Sequence, residues 1–130
     1  ERGLVVTTPD PTSITDAYAV IKTAHRQSPD IDVRLLVNVA FDQDEARQVY
    51  DRVANVCQKF LGLNIIYAGF LPSDPQVRAS VRMRMPFVLS ERDAPAAIAM
   101  NALAHRLDKH AAEPSQRGGL LRRMTTWLSR

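Results

Sequence analysis

Apolar and polar positions alternate between two spacings along this chain, and the changes of spacing mark its elements. Leu4-Val5-Val6 is a short apolar run that stops at Thr7-Thr8, which predicts a strand over residues 3–8. Pro9 and Pro11 interrupt it, and the reading that follows is a rigid loop and then a helix over 13–27 beginning at Thr12 or Ser13, with Ser13 and Asp16 at capping-box spacing. Residues 32–41 contain VRLLVNVA, an almost continuous apolar run of the kind a parallel strand shows when both its faces are buried. Asp42 and Glu45 then form a stronger capping signature for a helix over 43–61. Its positions Ala46, Val49, Tyr50, Val53, Val56, Cys57 and Phe60 follow i, i+3, i+4 spacing, and Gly62 closes it. A third strand is predicted over 64–71. Asp74 is then an N-cap with Pro75 at the first helical position, and that helix stops before Pro86. Phe87–Leu89 reads as a short extended piece, and Asp93 as the cap of an alanine-rich helix from Ala94 to about His110. Residues 111–119, AAEPSQRGG, read as a linker.

Strands alternating with helices imply crossover connections and an α/β fold with a parallel sheet. Ligands in such folds sit at the carboxyl ends of the strands, here Thr7–Pro11, Asn38–Asp42 and Leu71–Asp74. Three strands make a poor free-standing core, because an outer strand lacks a neighbour. The chain therefore reads as a fragment whose partner strands lie upstream.

Composition changes this picture in two places. At 130 residues, 45% hydrophobic and 24% charged, the chain is one domain or part of one, with enough apolar material for a core. Its net charge of +3 is misleading as a whole-protein property. Residues 117–130 hold Arg117, Arg122, Arg123 and Arg130 and no acid, so the rest carries 13 basic against 14 acidic groups. A nucleic-acid reading from overall charge is thereby disfavoured. The single cysteine, Cys57, excludes an intrachain disulfide and fits a reducing cytosol and a core position. No run of about 18 apolar residues is present, so nothing reads as a membrane span.

Candidate chemistry is sparse. Asn38 places an amide inside an apolar strand, and burying an unpaired amide costs roughly 1–3 kcal/mol, so it needs partners. Two readings stay open: a bond to a neighbouring loop backbone, or a paired donor and acceptor that read the edge of an adenine. Pro72-Ser73-Asp74, ending the next strand, would lie beside it, although the same residues also make an ordinary helix start. Arg78, Arg82 and Arg84 read as a solvated face, or failing that a contact for a partner or nucleic acid. His25, His105 and His110 match no metal spacing, and there is no nucleophile–base pair.

Three blocks carry a family likeness. TTPDPTSITDAYAVIK, LLVNVAFDQDEARQVYDRVANVCQKFLG and YAGFLPSDPQVRASVRMRMPFVL resemble, in order and with compatible spacing, the flagellar-number regulators called FlhG, FleN or YlxH, of the MinD/ParA group of P-loop ATPases. The likeness covers roughly residues 3–110 and implies the C-terminal half of that parallel-sheet fold. It implies that Asn38 and the backbone around Pro72, Ser73 and Asp74 hold adenine, and that Asp10 approaches the ribose, often from the opposing subunit of an ATP-bound dimer. It also implies ATP or ADP with Mg2+ as cofactors of the intact parent, a homodimer in the ATP state, and partnership with the flagellar GTPase FlhF and other flagellar assembly proteins. The family's N-terminal half is missing: nothing here reads GKGGxGKT. Phosphate cradling and hydrolysis need backbone amides, a lysine and a metal, so this chain alone is expected neither to hydrolyse ATP nor to bind nucleotide tightly.

The tail needs no family. On a helix from Gly119, the residues Leu120, Leu121, Met124, Trp127 and Leu128 share one side, with Arg122, Arg123 and Arg130 on the other side and its flanks. A basic amphipathic helix with tryptophan fits an interfacial anchor on an anionic inner membrane; the lesser reading is a helix that docks on its own domain or in a partner's groove. One copy would bind weakly and two on a dimer far better. The expectation is a bacterial cytoplasmic ATP-binding regulator of flagellum number, reversibly membrane-bound. The chain divides into a domain over 1–110, a linker over 111–119 and a targeting helix over 120–130. The rivals are a non-enzymatic interaction module and a DNA-partitioning ATPase, with nucleic-acid binding disfavoured.

Overall fold

The structure, a computed structural model, describes residues 1–111. Its elements run β1 (Arg2–Thr7), α1 (Pro11–Gln27), β2 (Asp32–Ala40), α2 (Gln43–Leu61), β3 (Ile66–Pro72), α3 (Pro75–Arg82), α4 (Phe87–Ser90) and α5 (Pro95–Ala111). The predicted tail helix and all but the first residue of the predicted linker lie outside the described residues.

The sheet is three-stranded and parallel, ordered β1-β2-β3, as the alternation of strand and helix implies. Central β2 sends Val33 and Leu35 to one face, where they pack with Ala17 and Ile21 of α1 and Val53 and Cys57 of α2. Leu36 faces the other side with Ala68, Leu71 and Leu103 of α5. Burial on both faces is the reason the β2 sequence is apolar almost throughout. The outer strands are less covered: Leu4 and Val6 of β1 and Ile66 of β3 remain substantially exposed, while Val5 packs against the α1–α2 cluster. Among the described residues β1 and β3 each have β2 as their one strand neighbour, the physical situation in which a further strand or a covering segment is stabilising.

Local rules explain most boundaries and correct three expectations. α1 begins two residues earlier than Ser13: Asp10 is its N-cap, accepting from the backbone N–H groups of Thr12 at 2.8 Å and Ser13 at 3.4 Å, and Pro11 is its first residue. Proline needs no N–H there, so Pro11 opens the helix it was expected to exclude. Ser13 instead receives a hydrogen bond from Thr8 N–H at 3.0 Å and pairs with Thr7 Oγ1 at 3.1 Å, fastening the loop to the strand end. The second correction is Phe87–Leu89, which is part of a helical turn and not extended; Pro86 precedes it, with Leu89 and Ser90 N–H returning to Pro86 C=O. Third, α5 starts at Pro95, and its buried first-turn amide at Ala96 is satisfied from another element, by Asp74, and not by Asp93. The α2 signature holds in form: Asp42 accepts from Glu45 N–H at 2.8 Å, while the Glu45 carboxylate reaches the N–H of Phe41, one residue upstream of the usual cap partner. Gly62 ends α2 at φ 63°, the left-handed conformation a glycine adopts at least cost.

Candidate functional site

The site lies where β2 breaks its own pattern. Val37 and Ala40 pack into the same cluster with Ala46 and Val49 of α2, although strict alternation would send residues three apart to opposite faces. The extra residue is accommodated by a shift in the β2–β3 register between Val37 and Ala40, and Val39 takes φ 57°. A β-branched residue in the left-handed region is a genuine outlier, and strain of this sort costs of order 1–3 kcal/mol. Its effect is to place Asn38 and Val39 at the lip of a cavity. Ser73 N–H donates to Ala40 C=O at 2.8 Å, tying the end of β2 to the loop after β3.

That cavity, about 400 Å³, is lined by Asn38 and Val39 from β2, Leu71 to Asp74 from the end of β3, Val77 and Arg78 from α3, Phe87 from α4, and Ala96 and Met100 from α5. Its walls are chiefly apolar with a few convergent polar groups, the usual character of a small-molecule pocket. The structure thus brings together four of the five sequence candidates. Asn38 is half-buried, and its one side-chain bond among the described residues is the Oδ1 acceptance from Val39 N–H at 2.9 Å. Its Nδ2 group keeps its donors, so the backbone-bond reading accounts for only part of the amide.

Asp74 is a different matter. It is buried, its Oδ1 accepts from Gln76 N–H at 2.9 Å and its Oδ2 from Ala96 N–H at 3.1 Å. The carboxylate is engaged by the backbones of two helices, so what this segment offers a ligand is the loop backbone and the flat apolar surface of Pro72.

Asp10, the fifth candidate, does not line this cavity. It borders a separate, open depression with Thr8, Pro9, Val39, Phe41, Glu45 and Ser73. Val39 and Ser73 belong to both depressions and form the ridge between them. Backbone N–H bonds from Thr12 and then Ser13 hold the pKa of the Asp10 carboxyl below its ordinary value, so it stays ionised. Both backbone bonds fall on Oδ1, and the Thr12 side chain also favours the ionised carboxylate.

The outer wall escaped sequence reasoning. The sequence reading takes Phe87 as extended, whereas Pro86 stands at the N-cap of a short helical turn that begins at Phe87. Arg78, read as part of a solvated basic face, stands at the cavity rim. Nothing in the residue type foretold Val39, since a valine in an apolar run reads as ordinary strand. Among the described residues no group of three His, Cys, Asp or Glu side chains could hold a metal ion, and no helix is long and apolar enough to cross a membrane. His25 is half-buried with its Nδ1 unpartnered, and Cys57 is fully buried on the α2 stripe, as its spacing predicts.

No family model matches the chain. Among characterised proteins it is similar to the antiactivator FleN of Pseudomonas aeruginosa, with 32% identity over 120 residues that span 92% of this chain and 43% of that protein. It is also similar to the flagellum site-determining protein YlxH of Helicobacter pylori, with 33% identity over 82 residues, 62% of this chain and 27% of that protein. The chain spans less than half the length of either relative. The three blocks noted in the sequence lie on β1–α1, β2–α2 and β3–α4, the elements that build the sheet and the cavity. The chain belongs to the family of flagellar-number regulators that includes FleN and YlxH.

Proposed function

We propose that this chain is the adenine-side part of a MinD/ParA-type ATP-binding regulator of flagellum number. The observation that carries the reading is the meeting of Asn38 with the Pro72–Asp74 loop around an apolar cavity of about 400 Å³ at the carboxyl ends of β2 and β3. A planar base would lie between Pro72 and the Val77–Phe87–Met100 wall, with the Asn38 amide donating to and accepting from its edge. The Asn38 Nδ2 donors and the loop carbonyl groups suit adenine, which offers an acceptor and an amino donor side by side. The ribose would lie over the Val39–Ser73 ridge, and Asp10 Oδ2 would accept from a sugar hydroxyl, within one subunit or across an ATP-bound dimer.

Phosphates and Mg2+ belong, on this reading, to the P-loop part of the parent, which the described residues do not supply. This chain then orients the nucleoside and contributes no step of hydrolysis. Regulation of flagellar assembly, with FlhF and other assembly proteins as partners, would act through the ATP-dependent dimer. The tail residues Leu120, Leu121, Arg122, Arg123, Met124, Trp127 and Leu128 would hold that dimer reversibly on the anionic inner membrane.

The test is Asn38→Ala in the full-length parent. ATP affinity by calorimetry is expected to fall about 5- to 150-fold, the equivalent of roughly 1–3 kcal/mol for a bidentate base contact. Equal affinity would remove Asn38, and with it the adenine reading, from this cavity.

A further inference from the structure

The corner between α3 and α4 is a surface that neither the cavity nor the sheet uses. Val81, Met83, Met85 and Leu89 are each at least half exposed there. Arg82, Arg84 and Arg92 are exposed beside them, with no ion-pair partner among the described residues. Glu91 is the one acid between Val81 and Arg92, and it is half-buried. Arg78 stands apart, at the cavity rim.

The backbone here has an unusual occupant. Met85 N–H donates to Ser80 C=O at 3.0 Å and Arg84 N–H to Val81 C=O at 3.1 Å, the two bonds of a Schellman motif closing α3. The left-handed position of that motif is normally glycine, yet Arg84 holds it at φ 55°. Glycine would close the helix at lower energy. An arginine kept at a strained position suggests a use for the side chain, because strain of this kind persists where function employs it. The turn is further secured by Ser80 Oγ and Ser90 Oγ at 3.1 Å, which join the last turn of α3 to the end of α4.

We propose that the α3–α4 corner docks an acidic, amphipathic segment of a partner protein. Arginine and methionine are enriched at protein interfaces and lysine is depleted, and residues 81–92 contain three arginines, two methionines and no lysine. Guanidinium groups pair with carboxylates in fixed bidentate geometry, while the Val81, Met83, Met85 and Leu89 side chains lose exposed apolar area only against another apolar surface. A nucleic-acid backbone would leave those four side chains unburied. An interfacial lipid contact typically sinks tryptophan or phenylalanine at the headgroup boundary, and among residues 81–92 the only aromatic, Phe87, faces the cavity. The proposal is independent of the nucleotide site.

The experiment titrates the isotope-labelled full chain with a synthetic amphipathic helical peptide carrying leucine on one face and glutamate on the other. The same peptide with glutamine for glutamate, phosphatidylglycerol vesicles and a DNA duplex are the comparison probes. The expected result is that the glutamate peptide shifts the resonances of residues 81–92 and binds at least about tenfold more tightly than the glutamine peptide. Arg82→Gln should weaken it by a similar factor. Arg84→Gly should weaken it too while raising the melting temperature by roughly 2–8 °C, so that lost binding cannot be lost folding. Equal binding of the two peptides, no shift at residues 81–92, or vesicles or duplex engaging these residues in preference would each overturn the proposal.

Discussion

The carboxylate of Asp74 joins two helices that are far apart in sequence: one oxygen caps α3 at Gln76 N–H and the other accepts from Ala96 N–H, 22 residues later, at 3.1 Å. The first turns of α3 and α5 are thus fixed against each other by one side chain at the floor of the cavity.

Asp74→Ala should therefore cost more than an ordinary cap. Losing the cap costs about 0.5–2 kcal/mol, and stranding the buried Ala96 amide about 1–3 kcal/mol more. A total of roughly 1.5–5 kcal/mol is expected in urea unfolding. Asp74→Asn, which keeps one acceptor oxygen, should fall between alanine and wild type. A change within about 0.5 kcal/mol for alanine, the range of an ordinary surface substitution, would mean that the two helices are held by packing alone.

Val39 supplies a test of the strained bulge. Val39→Gly and Val39→Ala both remove the two γ-methyl groups, and they differ by one Cβ and by how each tolerates the φ of 57°. Glycine tolerates that conformation, so the glycine variant should be more stable than the alanine variant by about 1 kcal/mol, the reverse of their order in a regular strand. In the full-length parent, Val39→Gly should also weaken ATP binding, because the backbone that presents Asn38 is loosened. If alanine proves the more stable of the two, the bulge is not strained in solution.

How legible the fold was in the sequence depends on whether a residue acts through its neighbours in the chain or through distant ones. The strands and helices of β1–α1–β2–α2–β3 follow from periodicity, and α2 matches its predicted 43–61 bounds because Asp42, Glu45 and Gly62 are all local signals. The α1 start follows the same local rule as α3, since Asp10-Pro11 and Asp74-Pro75 both put aspartate at the N-cap and proline at the first helical position. The cap of α5 was not legible, since the acceptor comes from 22 residues away and Asp93 offered a nearer, ordinary candidate. Within the site, Asn38 stood out as an amide in an apolar run. Val77, Phe87 and Met100 did not, because an apolar wall and an apolar core have the same composition, and only the tertiary position of α4 distinguishes them.

Cys57 gives a pH dependence with a definite sign. Burial raises its thiol pKa above the ordinary value, so the folded state holds the proton more tightly than the unfolded state does. The associated stability is fully present below the unfolded thiol value, about 8.5, and is lost as pH rises through the higher folded value. Between pH 8 and 10 the wild type should lose stability more steeply than Cys57→Ala in matched urea unfolding, whatever the alanine costs at neutral pH. Consistently, a thiol reagent at pH 8 should label Cys57 only as fast as the core opens, with denaturant accelerating it. Identical pH slopes in the two proteins would place the thiol in solvent.

The basic tail is the remaining prediction, and it rests on sequence alone, since residues 120–130 lie outside the described part of the chain. Full burial of a leucine or methionine side chain is worth about 1.5–3 kcal/mol, but an interfacial helix buries each only in part and must also be ordered. Monomeric chain should therefore bind phosphatidylglycerol vesicles weakly, and a forced dimer, made by fusing a short coiled coil before Glu1, should bind at least about tenfold more tightly through effective concentration. Trp127→Glu or Leu121→Glu should abolish co-sedimentation in both forms while leaving the unfolding transition of the domain unchanged. Raising salt should weaken binding, because Arg122 and Arg123 meet anionic headgroups within a Debye length. Co-sedimentation that survives the glutamate substitutions would show that the tail docks elsewhere, on its own domain or in a partner's groove, and that membrane contact, where it occurs, is made by another surface.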